Sequence, residues 1–166
     1  MKGSGRAKRH AERKLAVQVL YSLTFASPLN MPDLRRAYEN SPAKMAGEGS
    51  AADAATEEKG RMADEDYSWR LVNGVWSNLA LLDESIDRFS TNWRRDRMGR
   101  VELAILRLAL YELLMEKIEG KVVISEAKTL CREFDVGDAA QLIHGIVDAA
   151  LREQANDCGA NAADPA

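Results

Sequence analysis

A chain of 166 residues, 46% hydrophobic and 30% charged, is long enough to bury one real core. No stretch reaches the roughly 18–20 apolar residues that a membrane span requires. The net charge of −3 hides an asymmetry: residues 1–14 carry Lys2, Arg6, Lys8, Arg9, Arg13 and Lys14 against Glu12, while residues 47–66 carry Glu48, Asp53, Glu57, Glu58, Asp64, Glu65 and Asp66.

Proline is scarce, β-branched alternation is absent, and Ala, Leu, Glu and Arg dominate. That balance predicts an all-α fold, a compact single-domain bundle of about seven helices over residues 5–154. The first helix is expected from about Gly5 to Ala26, with Ala16, Val19, Leu20 and Leu23 on one buried face. Pro28 and Pro32 break it, and Asn30 caps a second helix that buries Leu34, Ala37 and Tyr38. Residues 42–62 are small and acidic with almost nothing to bury, which predicts a flexible insertion. A third helix follows from about Asp64 and buries Leu71, Val75 and Leu79; a fourth carries Leu82, Ile86 and Phe89. The fifth, from about Arg97 to Lys117, is apolar nearly all round and belongs at a bundle centre, with Gly120 ending it. The sixth spans about Val122–Phe134 and the seventh about Ala139–Gln154, with Gly145 placed for close packing and a disordered tail at 155–166.

The basic arm at residues 1–14 leads into the first helix, and on a mildly acidic protein it points to a polyanionic partner. Arg9, Arg13, Val17 and Tyr21 are spaced by four, with Arg6 three before Arg9 and Lys8 alongside. Guanidinium groups pair with phosphate and a tyrosine stacks on a base, so this row suits single-stranded nucleic acid; a solvated helix end is the plainer alternative. Asp138 and Gln141 have capping-box spacing at the start of the seventh helix. Trp93, Arg94, Arg95, Arg97 and Arg100 form a second basic cluster, with the tryptophan expected to anchor the turn there. Arg107, Glu112 and Glu126 lie inside apolar helices and read as structural pairs, and Tyr111 and His144 as packing residues.

No phosphate loop, glycine-rich cofactor turn or metal spacing is present, so neither catalysis nor a cofactor is expected. Cys131 and Cys158 form no CxxC, and only His10 and His144 are available beside them. The basic start lacks the apolar run of a signal peptide. A cytoplasmic protein follows, with Cys131 an inert thiol.

Four blocks in series carry a resemblance. They are Trp93–Arg97, the ILRLALYEL helix at Ile105–Leu113, KVVISEA at Lys121–Ala127 and GIVD at Gly145–Asp148, preceded by AVQVLYSL at Ala16–Leu23. Their order and spacing resemble the NusB family of transcription antitermination factors. The resemblance implies a non-enzymatic factor that holds single-stranded boxA-like RNA together with NusE, a small-subunit ribosomal protein. It would work within an RNA polymerase antitermination complex on ribosomal RNA operons, as monomer or homodimer. It assigns RNA contacts to Arg6, Lys8, Arg9, Arg13 and Tyr21 of the arm and to Asp138 and Gln141. It assigns NusE contacts to Ile86, Ser90, Asp96 and Glu102. Ala139, Gln141 and Leu142 stand where relatives can offer a hydroxyl, a basic residue and an aromatic, which implies weaker or altered RNA preference. Two alternatives follow from the same resemblance: an interaction or dimerisation module without RNA binding, and the accessory domain of an RNA methyltransferase.

Overall fold

The computed structural model describes residues 3–48 and 66–161, and among these the chain is all-α with no strand. Contacts gather into two compact units, residues 1–77 and 78–166.

The first unit holds α1 (Gly3–Leu23), α2 (Met31–Glu39), α3 (Pro42–Glu48) and α4 (Tyr67–Ser77). α1 packs on α4, and also on α2 and α3. The apolar stripe Ala16, Val19, Leu20 and Leu23 is buried as expected, and Val17 joins it. Asn30 caps α2: its side-chain oxygen accepts the Asp33 N–H at 2.9 Å. Leu34 and Tyr38 are then driven fully inside, where each apolar side chain contributes about 1.5–3 kcal/mol of burial. The Tyr38 hydroxyl lies 2.7 Å from Ser68 Oγ, which satisfies both polar groups inside the core. α3 was not expected. It occupies the first residues of the acidic stretch read as a flexible insertion, where the buried Ser41 caps the helix start by accepting the Lys44 N–H at 3.2 Å. The rest of that stretch lies outside the described residues.

The second unit holds α5 (Leu79–Phe89), α6 (Arg100–Leu114), α7 (Gly120–Glu133) and α8 (Ala140–Asn161), with 3-10 turns at Arg95–Arg97 and Gly137–Ala139. α6 packs against α5, α7 and α8, as its all-round apolar sequence requires. It starts later than expected because Met98 and Gly99 are extended. Glu102 then accepts the Gly99 N–H at 2.9 Å, the reciprocal half of a capping box. Gly120 does not end α6. Lys117, at φ 56°, turns the chain, and Gly120 begins α7. A β-carbon on Gly120 would lie 2.5 Å from Leu151 Cδ1, so its missing side chain lets α8 approach. Gly145, expected to serve that purpose, has nothing within 4 Å of where a β-carbon would sit. α8 also passes the expected end at Gln154 and runs through part of the tail read as disordered. No proline interrupts it before Pro165, and Glu153 pairs with Arg88 of α5 at 2.7 Å.

Candidate nucleic-acid and protein interfaces

Residues 3–14 of the basic arm form the first three turns of α1. Arg6, Lys8 and Arg9 are exposed there. The four-residue row does not stay in solvent. Each step of four drifts about 40° around a helix of 3.6 residues per turn, and α1 packs on α4 along the way. Val17 is fully buried and Arg13 is only 4% exposed, so Tyr21, 38% exposed, is cut off from the arginines. Tyr21 instead meets the exposed Phe25 edge-on, with ring centroids 5.2 Å apart. Arg13 therefore leaves the set of surface contacts; its guanidinium donates to Tyr67 Oη at 3.4 Å.

Tyr67, the first residue of α4, was not legible as a site residue. Three guanidinium carbons surround its ring: Arg9 at 4.8 Å, Arg70 at 5.2 Å and Arg13 at 5.6 Å from the centroid. Beside it, Glu12 Oε2 accepts the Ser68 N–H at 2.7 Å and so caps α4 from α1. The one acid of the arm is thus a structural tie. A concavity of about 260 Å³ opens here, lined by Gly5, Lys8, Arg9, Glu12, Asp66, Tyr67 and Arg70.

In the second unit, Asp138 sits inside the 3-10 turn whose N-cap is Val136, not at the cap of α8. The capping-box reading fails because the turn supplies its own backbone bond, Ala139 N–H to Val136 C=O at 3.0 Å. Asp138 and Gln141 are both exposed, as is His144, which is not a packing residue.

The residues expected to meet NusE separate by burial. Ile86 is fully buried and supports the surface from below rather than touching a partner. Glu102 is committed to Gly99, and Asp96 pairs with Arg94 at 3.1 Å. Ser90 lines a concavity of about 560 Å³ with Asp87, Trp93, Arg94, Arg95, Asp96 and Leu103. Its hydroxyl is buried with no hydrogen-bond partner among the described residues. Trp93 is 56% exposed, so it is a wall of this concavity and not the anchor of the turn; the buried Met98 is the anchor. One side is fixed by a shared carboxylate. Asp83 accepts Arg107 Nε at 2.7 Å and Nη2 at 2.9 Å, and forms an ion pair with Arg95 Nη1 at 3.0 Å.

Among the described residues there is no group of three or more His, Cys, Asp or Glu that could hold a metal ion, and no helix is long and apolar enough to cross a membrane. Burial, reinforced by the nearby Glu102 carboxylate, raises the Cys131 thiol to about 11. Burial likewise raises the Tyr38 phenol above its ordinary range.

The NusB family profile matches residues 10–152. The chain belongs to the NusB family. A transcription antitermination protein NusB of Desulfovibrio desulfuricans is 47% identical over 152 residues, covering 90% of this chain and 88% of the relative. Two solved structures share the NusB-like fold. The crystal structure of a plectonemic RNA supercoil matches with a TM-score of 0.67 at 22% identity, over 89% of this chain and 96% of that one. The crystal structure of antitermination factors NusB and NusE in complex with double-stranded RNA matches with a TM-score of 0.64 at 23% identity, over 86% and 95%.

Proposed function

We propose that this NusB-family chain is a non-enzymatic transcription antitermination factor. It holds boxA-like RNA together with NusE inside an RNA polymerase complex, and acts on ribosomal RNA operons in the cytoplasm. The observation that carries this reading is the exposed basic row Arg6, Lys8 and Arg9 on α1 of a chain whose NusB relative is 47% identical. Exposed guanidinium and ammonium groups neutralise phosphates and release counterions, so the complex is salt-sensitive. Tyr21, and Asp138 and Gln141 on the second unit, serve as further RNA contacts. A carboxylate and an amide there read base edges instead of phosphates.

NusE is received at the concavity bounded by Ser90, Trp93 and Asp96. Acidic groups at such a rim complement a basic ribosomal protein and chiefly set on-rate and specificity. Binding RNA and protein on one factor gives affinity by linkage rather than by one strong contact.

The test is binding of a labelled single-stranded boxA-like RNA, and of its duplex form, with and without NusE across a salt series. Tighter binding with NusE and a steep loss with salt is the expected result. Neutralising Arg6, Lys8 and Arg9 together removes up to three phosphate contacts and flattens the log–log salt slope by about 2. NusE bound with no contribution from RNA would leave an interaction module, and light scattering with and without RNA distinguishes monomer from homodimer.

A further inference from the structure

We propose that Lys121, Lys128 and Arg132 form a basic row along α7 that carries the sugar–phosphate backbone of single-stranded RNA onward from the turn bearing Asp138. This deepens the RNA-binding reading and rests on it. The row lies in the second unit, apart from the basic arm of α1. Residues 121, 128 and 132 fall within about 40° of one another around a helix of 3.6 residues per turn, with Ser125 beside them. All four are exposed. At 1.5 Å per residue the row is about 16 Å long.

Among the described residues no carboxylate pairs with any of the three cations; Arg132 Nη2 donates only to Thr129 Oγ1, at 3.4 Å. The acids of α7 sit off the row: Glu126 is buried, and both it and Glu133 stand a third of a turn or more from the midline. Glu119 and Asp135 lie beyond the two ends. On the neighbouring α8, Asp148 is held by Arg152 and Glu153 by Arg88, each at 2.7 Å. Helix stability does not account for the row. Lys121 stands in the first turn of α7, which has no acid, and the helix dipole disfavours a cation there. Lys128 and Arg132 are like charges at a spacing of four, which repel along a helix. Only Arg132, in the last turn, suits the dipole.

The row is continuous with the RNA contacts proposed for this unit. α7 closes with the Asp135 N–H bonded to Arg132 C=O at 3.2 Å and the Val136 N–H bonded to Cys131 C=O at 2.8 Å, which keeps the 3-10 turn carrying Asp138 against the end of α7. An RNA strand read at Asp138 and Gln141 therefore meets Arg132 first, then Lys128 and Lys121. The row carries no aromatic or aliphatic side chain, so it offers none of the buried anchors on which a protein interface depends. Phosphates need only the charge, and they are held without regard to sequence.

Full-length protein is titrated against a labelled single-stranded boxA-like RNA and a scrambled RNA of equal length, across a salt series, with melting curves alongside to establish folding. Lys121→Gln/Lys128→Gln/Arg132→Gln is expected to weaken both RNAs by the same factor and to flatten the log–log salt slope by about 2, at about 0.7 for each phosphate on a single strand. Lys121→Arg/Lys128→Arg keeps the charge and hence the slope. Removing three ion-paired surface cations elsewhere, Arg35→Gln/Arg36→Gln/Arg152→Gln, should leave the slope unchanged. An equal flattening in that control overturns the row, because the effect then belongs to net charge. Unchanged slope and affinity in the row variant, while Arg6→Gln/Lys8→Gln/Arg9→Gln lowers both, overturns the row and leaves the arm standing. Loss confined to the boxA-like RNA overturns it too, and so does loss of NusE binding with RNA binding intact, which would make α7 a protein surface. A wild-type protein that binds neither RNA overturns the RNA reading itself.

Discussion

Replacing Asp83 by alanine strands Arg107 and leaves Arg95 to Asp87, 3.5 Å away. In the native fold its two oxygens take Arg107 Nε and Nη2 at 2.7 and 2.9 Å, and Oδ2 also forms an ion pair with Arg95 Nη1 at 3.0 Å. The Asp83 and Arg107 side chains are 19% and 17% exposed, so water screens their pair only partly. A fully exposed pair contributes about 0–1 kcal/mol, whereas breaking a fully buried one costs about 3–5. Burial of roughly four-fifths places Asp83→Ala at about 2–3 kcal/mol, counting the Arg107 pair alone. At about 2–4 °C per kcal/mol for a chain of this size, Tm should fall by about 5–10 °C. Thermal melts by circular dichroism, with urea titration for the free energy, measure it. Asp83→Ala/Arg107→Met should recover more than half of the loss, because no charge of that pair is then left without its partner. A Tm change under about 1 °C, or a double variant less stable than the sum of the singles, would refute the reasoning. NusE affinity should also fall in Asp83→Ala at temperatures where the fold is intact, because Arg95 forms a wall of the Ser90 concavity.

Gly145→Ala should stabilise the protein by about 0.5–1 kcal/mol, since the methyl group meets open space inside α8; a loss in the urea midpoint would contradict this. Gly120→Ala should destabilise by about 1–3 kcal/mol, because its β-carbon would press on Leu151, and an unchanged midpoint would sink that account. A colorimetric disulfide reagent at pH 8 should modify the exposed Cys158 quickly and the buried Cys131 only on unfolding. With the Cys131 thiol near 11, about one molecule in a thousand is ionised at pH 8, so two fast thiols would be the wrong result. The folded protein holds that proton more tightly than the unfolded chain, whose thiol titrates near 9. Its contribution to stability is therefore complete below about pH 9 and is lost as pH rises toward 11. A Cys131→Ser variant that keeps the same alkaline fall in stability over that window would remove the assignment.

Helix type and order were legible because apolar spacing records burial. The stripe at Ala16–Leu23 and the all-round apolar α6 both sit where that spacing puts them. Ends and exposures were less legible. Arg13 and Ile86 look alike from sequence whether they face a partner or their own chain, and burial removed both from the contact set. Tyr67 meets Arg9 and Arg13 from 58 and 54 positions away, and no local pattern encodes such a meeting. Asp138 fooled the capping rule because a 3-10 turn stands where the cap was expected and α8 begins at Ala140. Gly120 and Gly145 exchanged roles for a related reason: a sequence shows that a side chain is missing, but not which neighbour fills the gap.

The bond from Glu12 to the Ser68 N–H closes a loop of 56 residues. A covalent segment between two ends already joined this way is freed from the task of aligning them. Lengthening it costs only closure entropy, about 0.6 kcal/mol for each doubling. The stretch between α3 and α4 is thus open ground for insertion and divergence. A tag or reporter grafted there should leave α1 registered against α4, since their packing and the Glu12 carboxylate both hold it.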